Sequence, residues 1–275
     1  VWGISATIGN MEQAAQVLAP QQPPNIIRAK QRKQIQVASL MPEEGERFPW
    51  VGHLGLHLLP KVLPVIQESQ TTLLFTNTRA QTEIWYQRLL EASPDLAGAM
   101  AMHHGSLDKG VRDWVEDALH QGILKVVVCT SSLDLGVDFR PVETVIQVGS
   151  PKGVARFLQR AGRSGHRPGA MSKVYFLPTH GLELIEGAAL YQATEEVLQN
   201  HNTQHIEARQ PLTLAYDVLL QYLVTLAVSD GFQPETLWEE VKHTYGFRKI
   251  PEEASQRCLD IHTTGGNSMA AYNEY

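Results

Sequence analysis

Short apolar segments alternate with helical stretches through the middle of the chain, and this alternation limits the folds open to it. Five segments read as buried strands: residues 72–76, 100–103, 125–129, 144–148 and 173–177. Helical stretches lie between them, which is the order of a parallel sheet with right-handed crossover connections. We therefore predict an α/β domain in which helices flank a parallel sheet.

Two of the intervening helices have recognisable ends. The first is predicted over residues 79–90. The second follows Ser106, whose hydroxyl is suited to capping it, and ends at Gly122, a residue that readily adopts the left-handed conformation after a helix. Its predicted inner face consists of Leu107, Val111, Trp114, Val115 and Ala118.

The flanking segments have other patterns. Residues 1–7 and 25–27 read as short strands, 11–18 as a helix, and the basic linker 28–33 leads to a strand over 34–40. After Pro178 the pattern is helical, over residues 182–198, 214–228, 234–243 and 251–262. The last three helices, closed by a glycine turn, are typical of a helix-turn-helix or winged-helix module, with its wing at or beyond Tyr275.

Bulk composition excludes several classes of protein. At 43% hydrophobic and 19% charged residues, the chain is suited to burying hydrophobic cores. It contains no run of about eighteen apolar residues, so we expect no membrane-spanning segment and no membrane partner. Cys129 and Cys258 lack metal-ligand spacing and indicate free thiols in a reducing cytoplasm. His201 and His205 lack a third ligand, so we expect no metal site. A net charge of -6 means that nucleic-acid binding must depend on local basic patches.

Small and polar residues follow four of the predicted strands where each strand ends. They are Thr76, Asn77, Thr78 and Arg79; His103, His104, Gly105 and Ser106; Thr130, Ser131, Ser132, Asp134, Gly136 and Asp138; and Gly149, Ser150 and Pro151. Parallel strands bring their carboxyl ends to one edge, where hydroxyls and backbone N–H groups suit phosphate. Any one group is explained better by helix capping, but the four together predict a phosphate-binding rim.

An arginine-rich segment follows the last of these strands. Residues 159–169 read Gln-Arg-Ala-Gly-Arg-Ser-Gly-His-Arg-Pro-Gly, with three arginines and three glycines. Glycine lets the backbone approach a ligand closely, and the arginine fork matches phosphate oxygens. Alone, the segment is as consistent with a basic turn after a short helix. Beside the rim, it favours contact with the phosphates of a nucleotide.

Four segments resemble helicase motifs in their order and spacing. Ser-Ala-Thr at 5–7 resembles motif III, Leu-Leu-Phe-Thr-Asn-Thr-Arg at 73–79 motif IV, 128–138 motif V and 159–167 motif VI of superfamily 2 helicases. His-His-Gly-Ser-Leu at 103–107 and Gly-His-Arg-Pro-Gly at 165–169 resemble the large helicase-related (Lhr) family. The tail, from Ile-Glu-Ala-Arg at 206–209 to Thr-Gly-Gly-Asn-Ser at 264–268, resembles its ligase-associated DEXH-box branch.

This resemblance, which covers nearly the whole chain, implies a RecA-like parallel sheet followed by a mostly helical winged-helix domain. The implied limits are 1–31 for the end of a first RecA-like lobe, 32–199 for the second lobe and 200–275 for the winged helix.

The resemblance also implies roles for individual residues. Arg163 matches the arginine finger, with Gln159 as a second catalytic candidate. The nucleotide-binding candidates are Gly136, Asp138, Arg160, Arg163 and His166, the last standing where many members have a second finger arginine. The nucleic-acid candidates are Thr76, Asn77, Arg79, Gly105, Thr130 and Ser131. Ser5 and Thr7 would couple hydrolysis to strand movement.

Two helicase elements are missing from the sequence. It contains no Gly-x-x-x-x-Gly-Lys-Ser/Thr loop and no Asp-Glu-x-His/Asp box. ATP and Mg²⁺ would therefore be held mainly by a first lobe of which only about residues 1–30 are present. We expect the chain to be a segment of a longer polypeptide and to be inactive alone.

The resemblance implies an ATP-dependent 3′–5′ DNA helicase or translocase of DNA repair, in the bacterial cytoplasm at the nucleoid. Its expected partners are single-stranded DNA, or DNA with a 3′ tail, and DNA ligase and nuclease repair proteins. The alternatives are an RNA helicase, a duplex-DNA translocase, or a non-enzymatic docking module. The presence of Arg163, Gln159 and Asp138 argues against a docking module.

Overall fold

The computed structural model describes residues 2–5, 7–27, 34–43, 48–50, 54–134, 142–165, 171–200 and 203–269. The chain forms two compact units, Lys30–Glu207 and Val1–Ala29 with Ala208–Tyr275. The domain limits 1–31, 32–199 and 200–275 stay a prediction.

The Lys30–Glu207 unit is built on a six-stranded sheet with the order β1-β6-β5-β2-β4-β3. Every pairing in it is parallel. The strands are β1 (Ile35–Ser39), β2 (Thr72–Phe75), β3 (Met100–His103), β4 (Val126–Cys129), β5 (Thr144–Val148) and β6 (Ser172–Leu177). Every residue of β2, β4 and β5 is buried, as helices on both sides of a parallel sheet require. The predicted α/β fold with a parallel sheet is confirmed.

Helices cover both faces of this sheet. Those of the unit are α2 (Leu59–Glu68), α3 (Arg79–Ala92), α4 (Lys109–Gln121), α5 (Val154–Ala161) and α6 (Gly181–Asn200); α1 (Met11–Leu18) belongs to the other unit. Adjacent residues of one strand serve opposite faces. Leu73 packs in the cluster that contains Phe157 of α5, and Leu74 in the cluster that contains Trp85 of α3. The sheet therefore packs between two separate apolar layers, one on each face.

The predicted start of α4 was wrong, and its predicted inner face is confirmed only at Val115 and Ala118. The helix begins at Lys109, and its N-cap is Asp108, whose carboxylate accepts a hydrogen bond from Gly110 N at 2.8 Å. Val111 and Trp114 are 46% and 57% exposed. The buried stripe is Val115, Ala118 and Leu119, because only this i, i+3, i+4 set faces the sheet once the helix starts at Lys109.

Two short strands predicted near the start of the chain were also wrong. Residues 2–5 and 7 form no strand, and neither do 25–27. A strand needs a neighbouring strand to pair with, whereas Trp2 and Ile4 are 95% and 99% exposed. Helix α2 was not predicted, because Pro60 and Pro64 interrupt its pattern.

The second unit contains the predicted helical module. Its helices are α7 (Tyr216–Val228), α8 (Pro234–Lys242), α9 (Glu252–Thr264) and the short α10 (Gly266–Met269). The core between α7, α8 and α9 consists of Leu219, Leu223, Leu237, Val241, Ile250 and Cys258. Both cysteines are buried free thiols. Among the described residues, none of the helices has the length and apolar character needed to cross a bilayer.

Candidate nucleotide and nucleic-acid site

The four polar strand ends lie side by side. Strands β5, β2, β4 and β3 are consecutive neighbours in the sheet. Because parallel neighbours are about 5 Å apart, their carboxyl ends span roughly 15 Å of one edge. Arg79, Gly105 and Ser131 are exposed there, and Asn77 and Thr130 are half-buried. The structure therefore brings together five of the six residues predicted to contact nucleic acid, on a surface that solvent reaches.

Thr76 does not belong to that surface, and its contact with nucleic acid stays a prediction. Its side chain is fully buried. The hydroxyl lies 2.7 Å from the hydroxyl of Thr82 and also bonds the carbonyl oxygen of Cys129 at 3.3 Å. A buried hydroxyl needs such partners. Thr76 therefore joins the end of β2 to α3 and β4 from inside the fold.

Asn77 ties two strand ends together. Its side-chain Nδ2 donates to the carbonyl oxygen of Ser150 at 2.8 Å, and its backbone N–H donates to Gln81 Oε1 at 3.0 Å. Thr78 caps α3 by accepting a hydrogen bond from Gln81 N at 3.2 Å. These local bonds hold the β2 end against the loop that follows β5.

Two other candidates are open to a ligand. The Arg79 side chain is 62% exposed, and its Nε donates to Glu83 one helical turn later at 2.8 Å. A Cβ added at Gly105 would meet nothing within 4 Å. The open space at Gly105 and the exposed guanidinium of Arg79 each permit close approach of a phosphodiester backbone.

Thr130 is connected to a buried histidine through Ser132. Thr130 Oγ1 donates to Ser132 Oγ at 3.3 Å, and Ser132 Oγ lies 2.7 Å from His103 Nδ1. The other ring nitrogen of His103 is 3.2 Å from Glu116 Oε1. Burial, with Arg112 close by, lowers the pKa of His103 to about 4. The ring is therefore neutral at neutral pH, and it orients the Thr130 and Ser132 hydroxyls as an uncharged hydrogen-bonding group.

Helix α5 carries the start of the arginine-rich segment, and Arg160 lies on its buried face. Arg160 is 1% exposed. Its Nε and Nη2 donate to the two carboxylate oxygens of Asp134 at 2.8 and 3.2 Å, and its Nη1 donates to Gln147 Oε1. Its guanidinium carbon lies 4.6 Å from the ring centre of Phe75. The charge of Arg160 is thus neutralised and enclosed inside the fold, and a nucleotide contact by this residue stays a prediction.

Asp134 joins three arginines to the end of β4. Besides Arg160, its carboxylate lies 3.5 Å from Arg156 Nε. Its backbone carbonyl oxygen accepts hydrogen bonds from Arg163 Nη2 at 2.7 Å and Nε at 3.1 Å. Residue 134 thus couples the segment resembling motif V to the segment resembling motif VI. Asp134 is one of the strand-end residues, but the sequence does not reveal this role, since a single acid in a loop gives no sign of its partners.

Arg163 is held at the end of α5, half-buried. Its backbone N–H donates to Arg160 O at 2.9 Å, and its carbonyl oxygen accepts from Val142 N at 3.2 Å. Burial lowers the pKa of the guanidinium, and Asp134 opposes that shift. A Cβ at Gly162 would lie 2.9 Å from Gln159 O. The backbone of residues 159–164 is therefore set by local bonds, with Gln159 half-buried beside it.

Several predicted site residues lie outside the described part or in the other unit. Gly136, Asp138 and His166 are outside the described residues. Ser5 is exposed and Thr7 half-buried, and both belong to the unit that contains the winged helix. The described residues contain no cluster of His, Cys, Asp and Glu able to hold a metal ion. His205 instead pairs with Glu196 at 2.6 Å, and His201 lies outside the description.

A parallel sheet with this rim and a separate helical unit is the second lobe of a helicase with a winged helix. The protein-family model for the helicase conserved C-terminal domain matches residues 55–168. The protein-family model for the winged helix domain of the large helicase-related protein matches residues 199–275. The chain belongs to the large helicase-related (Lhr) family of superfamily 2 helicases.

Two curated relatives illustrate the match. ATP-dependent helicase Lhr-Core of Saccharolobus solfataricus is 31% identical over 255 residues, which cover 91% of this chain and 28% of the relative. Lhr helicase/uracil glycosylase of Escherichia coli is 28% identical over 303 residues, covering 94% and 19%. The chain thus spans less than a third of the length of these relatives.

Solved structures agree on the fold. Mycobacterium smegmatis helicase Lhr bound to ssDNA and AMP-PNP is 30% identical, with a TM-score of 0.80 over 94% of this chain and 33% of that one. DUF1998 helicase MrfA bound to DNA, at 19% identity, has a TM-score of 0.61 over 86% of this chain and 35% of that one, and so shares the fold.

Proposed function

We propose that this chain is the second lobe and winged helix of an ATP-dependent 3′–5′ DNA helicase or translocase that acts in DNA repair. One observation carries the proposal. The guanidinium of Arg163 is held at the rim by a bond to Asp134 O, beside strand ends whose side chains suit a phosphodiester backbone. The M. smegmatis relative bound to ssDNA and AMP-PNP supports a nucleic acid and a nucleotide as the two ligands.

The proposed roles divide between these two ligands. Arg163, supported by Gln159, serves the nucleotide, together with Gly136, Asp138 and His166. The nucleic-acid contacts are Asn77, Arg79, Gly105, Thr130 and Ser131. Arginine donors fit the phosphates of ATP, whereas Mg²⁺ requires oxygen ligands that we assign to a preceding lobe. Ser5 and Thr7 would couple hydrolysis to movement along the strand.

The proposed setting follows the resemblance stated above. We place the full-length protein in the bacterial cytoplasm at the nucleoid, with DNA ligase and nuclease repair proteins as partners. The isolated chain is expected to be inactive, since a site closed between two lobes needs both.

Strand displacement by the full-length protein tests the function. With ATP, we expect it to unwind a duplex carrying a 3′ single-stranded DNA tail and to leave a duplex with a 5′ tail intact. The same 3′-tailed duplex with an RNA tail serves as a comparison. Equal unwinding on RNA tails would indicate an RNA helicase, and DNA-stimulated ATPase without strand displacement would indicate a duplex translocase. No ATPase at all would favour a docking module.

Arg79→Ala is expected to weaken binding of single-stranded DNA by the full-length protein several-fold. It should also reduce the slope of log affinity against log salt by about 1, because one phosphate contact is lost. The matched control is Arg88→Ala. Both arginines lie on α3, pair with a glutamate of the same helix, and are 62% and 58% exposed. Fluorescence anisotropy at several salt concentrations measures both, and equal losses in the two variants would contradict a contact at Arg79.

A further inference from the structure

The helix that leads to Arg163 is capped from far away in the sequence. Helix α5 (Val154–Ala161) has Gly153 as its N-cap, which supplies no side chain to its first turn. Instead, Glu207 Oε1 accepts the Val154 N–H at 2.6 Å, and Glu207 Oε2 accepts the Ala155 N–H at 2.8 Å. One carboxylate therefore satisfies two of the N–H groups that a helix start leaves unpaired.

Gly153 makes this approach possible. A Cβ at that position would lie 2.6 Å from Glu207 Oε1 and 2.9 Å from its carboxyl carbon. The backbone there also has φ 125°, which side-chain-bearing residues rarely adopt. Glycine at position 153 thus leaves the space that the carboxylate of Glu207 occupies.

The helix needs a cap because it is short. An eight-residue helix is marginal in water, and its stability depends on packing and on its ends. Packing is supplied by Phe157, Leu158 and Ala161. A negative charge at the N-terminus also interacts favourably with the helix dipole. The same helix ends at Ala161, directly before Gly162 and Arg163. The position of α5 therefore sets the position of the Arg163 backbone, from which the guanidinium extends.

Glu207 stands at a boundary of the molecule. It is the last residue of the Lys30–Glu207 unit, and Ile206 before it is buried. The residue that caps α5 is therefore the one at which the chain passes from the Lys30–Glu207 unit into the unit that contains the winged helix. In the sequence, residues 206–209 carry a family resemblance but no sign of this role.

We infer that Glu207 is a positioning residue for Arg163: by capping α5, it holds the arginine finger in place for ATP hydrolysis. This inference rests on the proposed function. Glu207 lies on α5's first turn and touches no reacting atom, so its effect reaches the nucleotide through the helix.

The test uses the full-length protein with Glu207→Ala, Glu207→Gln and Glu207→Asp. Glu207→Ala is expected to lower the kcat of DNA-stimulated ATPase roughly fivefold, the rate equivalent of one lost N-cap, with the KM for ATP within twofold of wild type. Glu207→Gln should fall between, since its amide has a single acceptor oxygen, and Glu207→Asp should restore most of the rate. Glu68→Gln, an exposed glutamate at the end of α2, should match wild type.

Two readouts separate positioning from a loss of folded protein. Affinity for ADP–aluminium fluoride, which imitates the transferring phosphoryl group, should fall in Glu207→Ala while affinity for ADP stays unchanged. Hydrogen exchange at the Val154 and Ala155 amides should become faster. Gly153→Ala, whose Cβ displaces the carboxylate, should reproduce both effects. Equal losses of ADP and ADP–aluminium fluoride binding would overturn the inference.

Different results would contradict the proposed function and the role of Glu207. A wild-type protein without DNA-stimulated ATPase would overturn the proposed function, and the inference with it. If wild type is active and Arg163→Ala is inactive while Glu207→Ala keeps the wild-type kcat, the inference on Glu207 alone fails.

Discussion

Replacing Arg163 with alanine in the full-length protein is expected to lower the kcat of DNA-stimulated ATP hydrolysis by roughly 10³ or more. An arginine finger acts on charge that develops as the γ-phosphoryl group leaves, so the KM for ATP should change little. Steady-state ATPase with saturating single-stranded DNA measures both parameters. Arg163→Lys should recover little, because a single ammonium cannot reproduce the two-pronged donor geometry.

Arg88→Ala serves as the control for loss of an arginine, since Arg88 lies on α3 and pairs with Glu91 at 2.9 Å. A rate for Arg163→Ala within a few-fold of wild type would count against a finger. It would instead favour a protein that retains a helicase fold as a docking module.

The second large effect is expected on stability. Asp134→Ala leaves the buried guanidinium of Arg160 without its carboxylate partner. Breaking a buried ion pair on one side costs about 3–5 kcal/mol. For a unit of this size we expect the melting temperature of the chain, followed by circular dichroism, to fall by roughly 10 °C.

A double replacement separates the buried charge from the loss of a side chain. Asp134→Leu with Arg160→Met should recover much of the stability, because an apolar pair of similar volume avoids leaving a charge unpaired. Asp113→Ala, at an exposed acid on α4, should change the melting temperature little. If Asp134→Ala melted like Asp113→Ala, the Arg160 network would not be what holds α5 against the sheet.

The sheet and its rim could be predicted because their signals are local. Runs such as Val126–Cys129 are apolar and β-branched, and parallel strands must bring their carboxyl ends to one edge. The residue types at those ends therefore revealed a polar edge before any coordinates.

The direction of individual side chains was harder to predict. A threonine directly after a strand is consistent with either a ligand contact or an internal bond, and Thr76 makes the internal bonds. For Arg160 a signal existed: it lies three residues after Phe157, on the face of α5 that is buried. The family resemblance assigned it to phosphate, whereas helix geometry placed it in the core.

Partners far away in the sequence could not be predicted at all. Glu207 and Val154 are separated by 53 residues, and nothing near either one indicates the other. Asp134 likewise meets Arg160 across 26 residues. Such contacts follow from the way the layers pack, which a single sequence does not state.

The position of β1 has a consequence for how the protein is made. In the sheet as described, β1 pairs with β6 alone, Ile35 beside Ser172, although β6 is the last strand to be synthesised. Until β6 has emerged from the ribosome, β1 lacks its native neighbour in the sheet, and the backbone amides of β1 remain available to other chains. Nascent forms that end before Ser172 would then be the ones most dependent on chaperones.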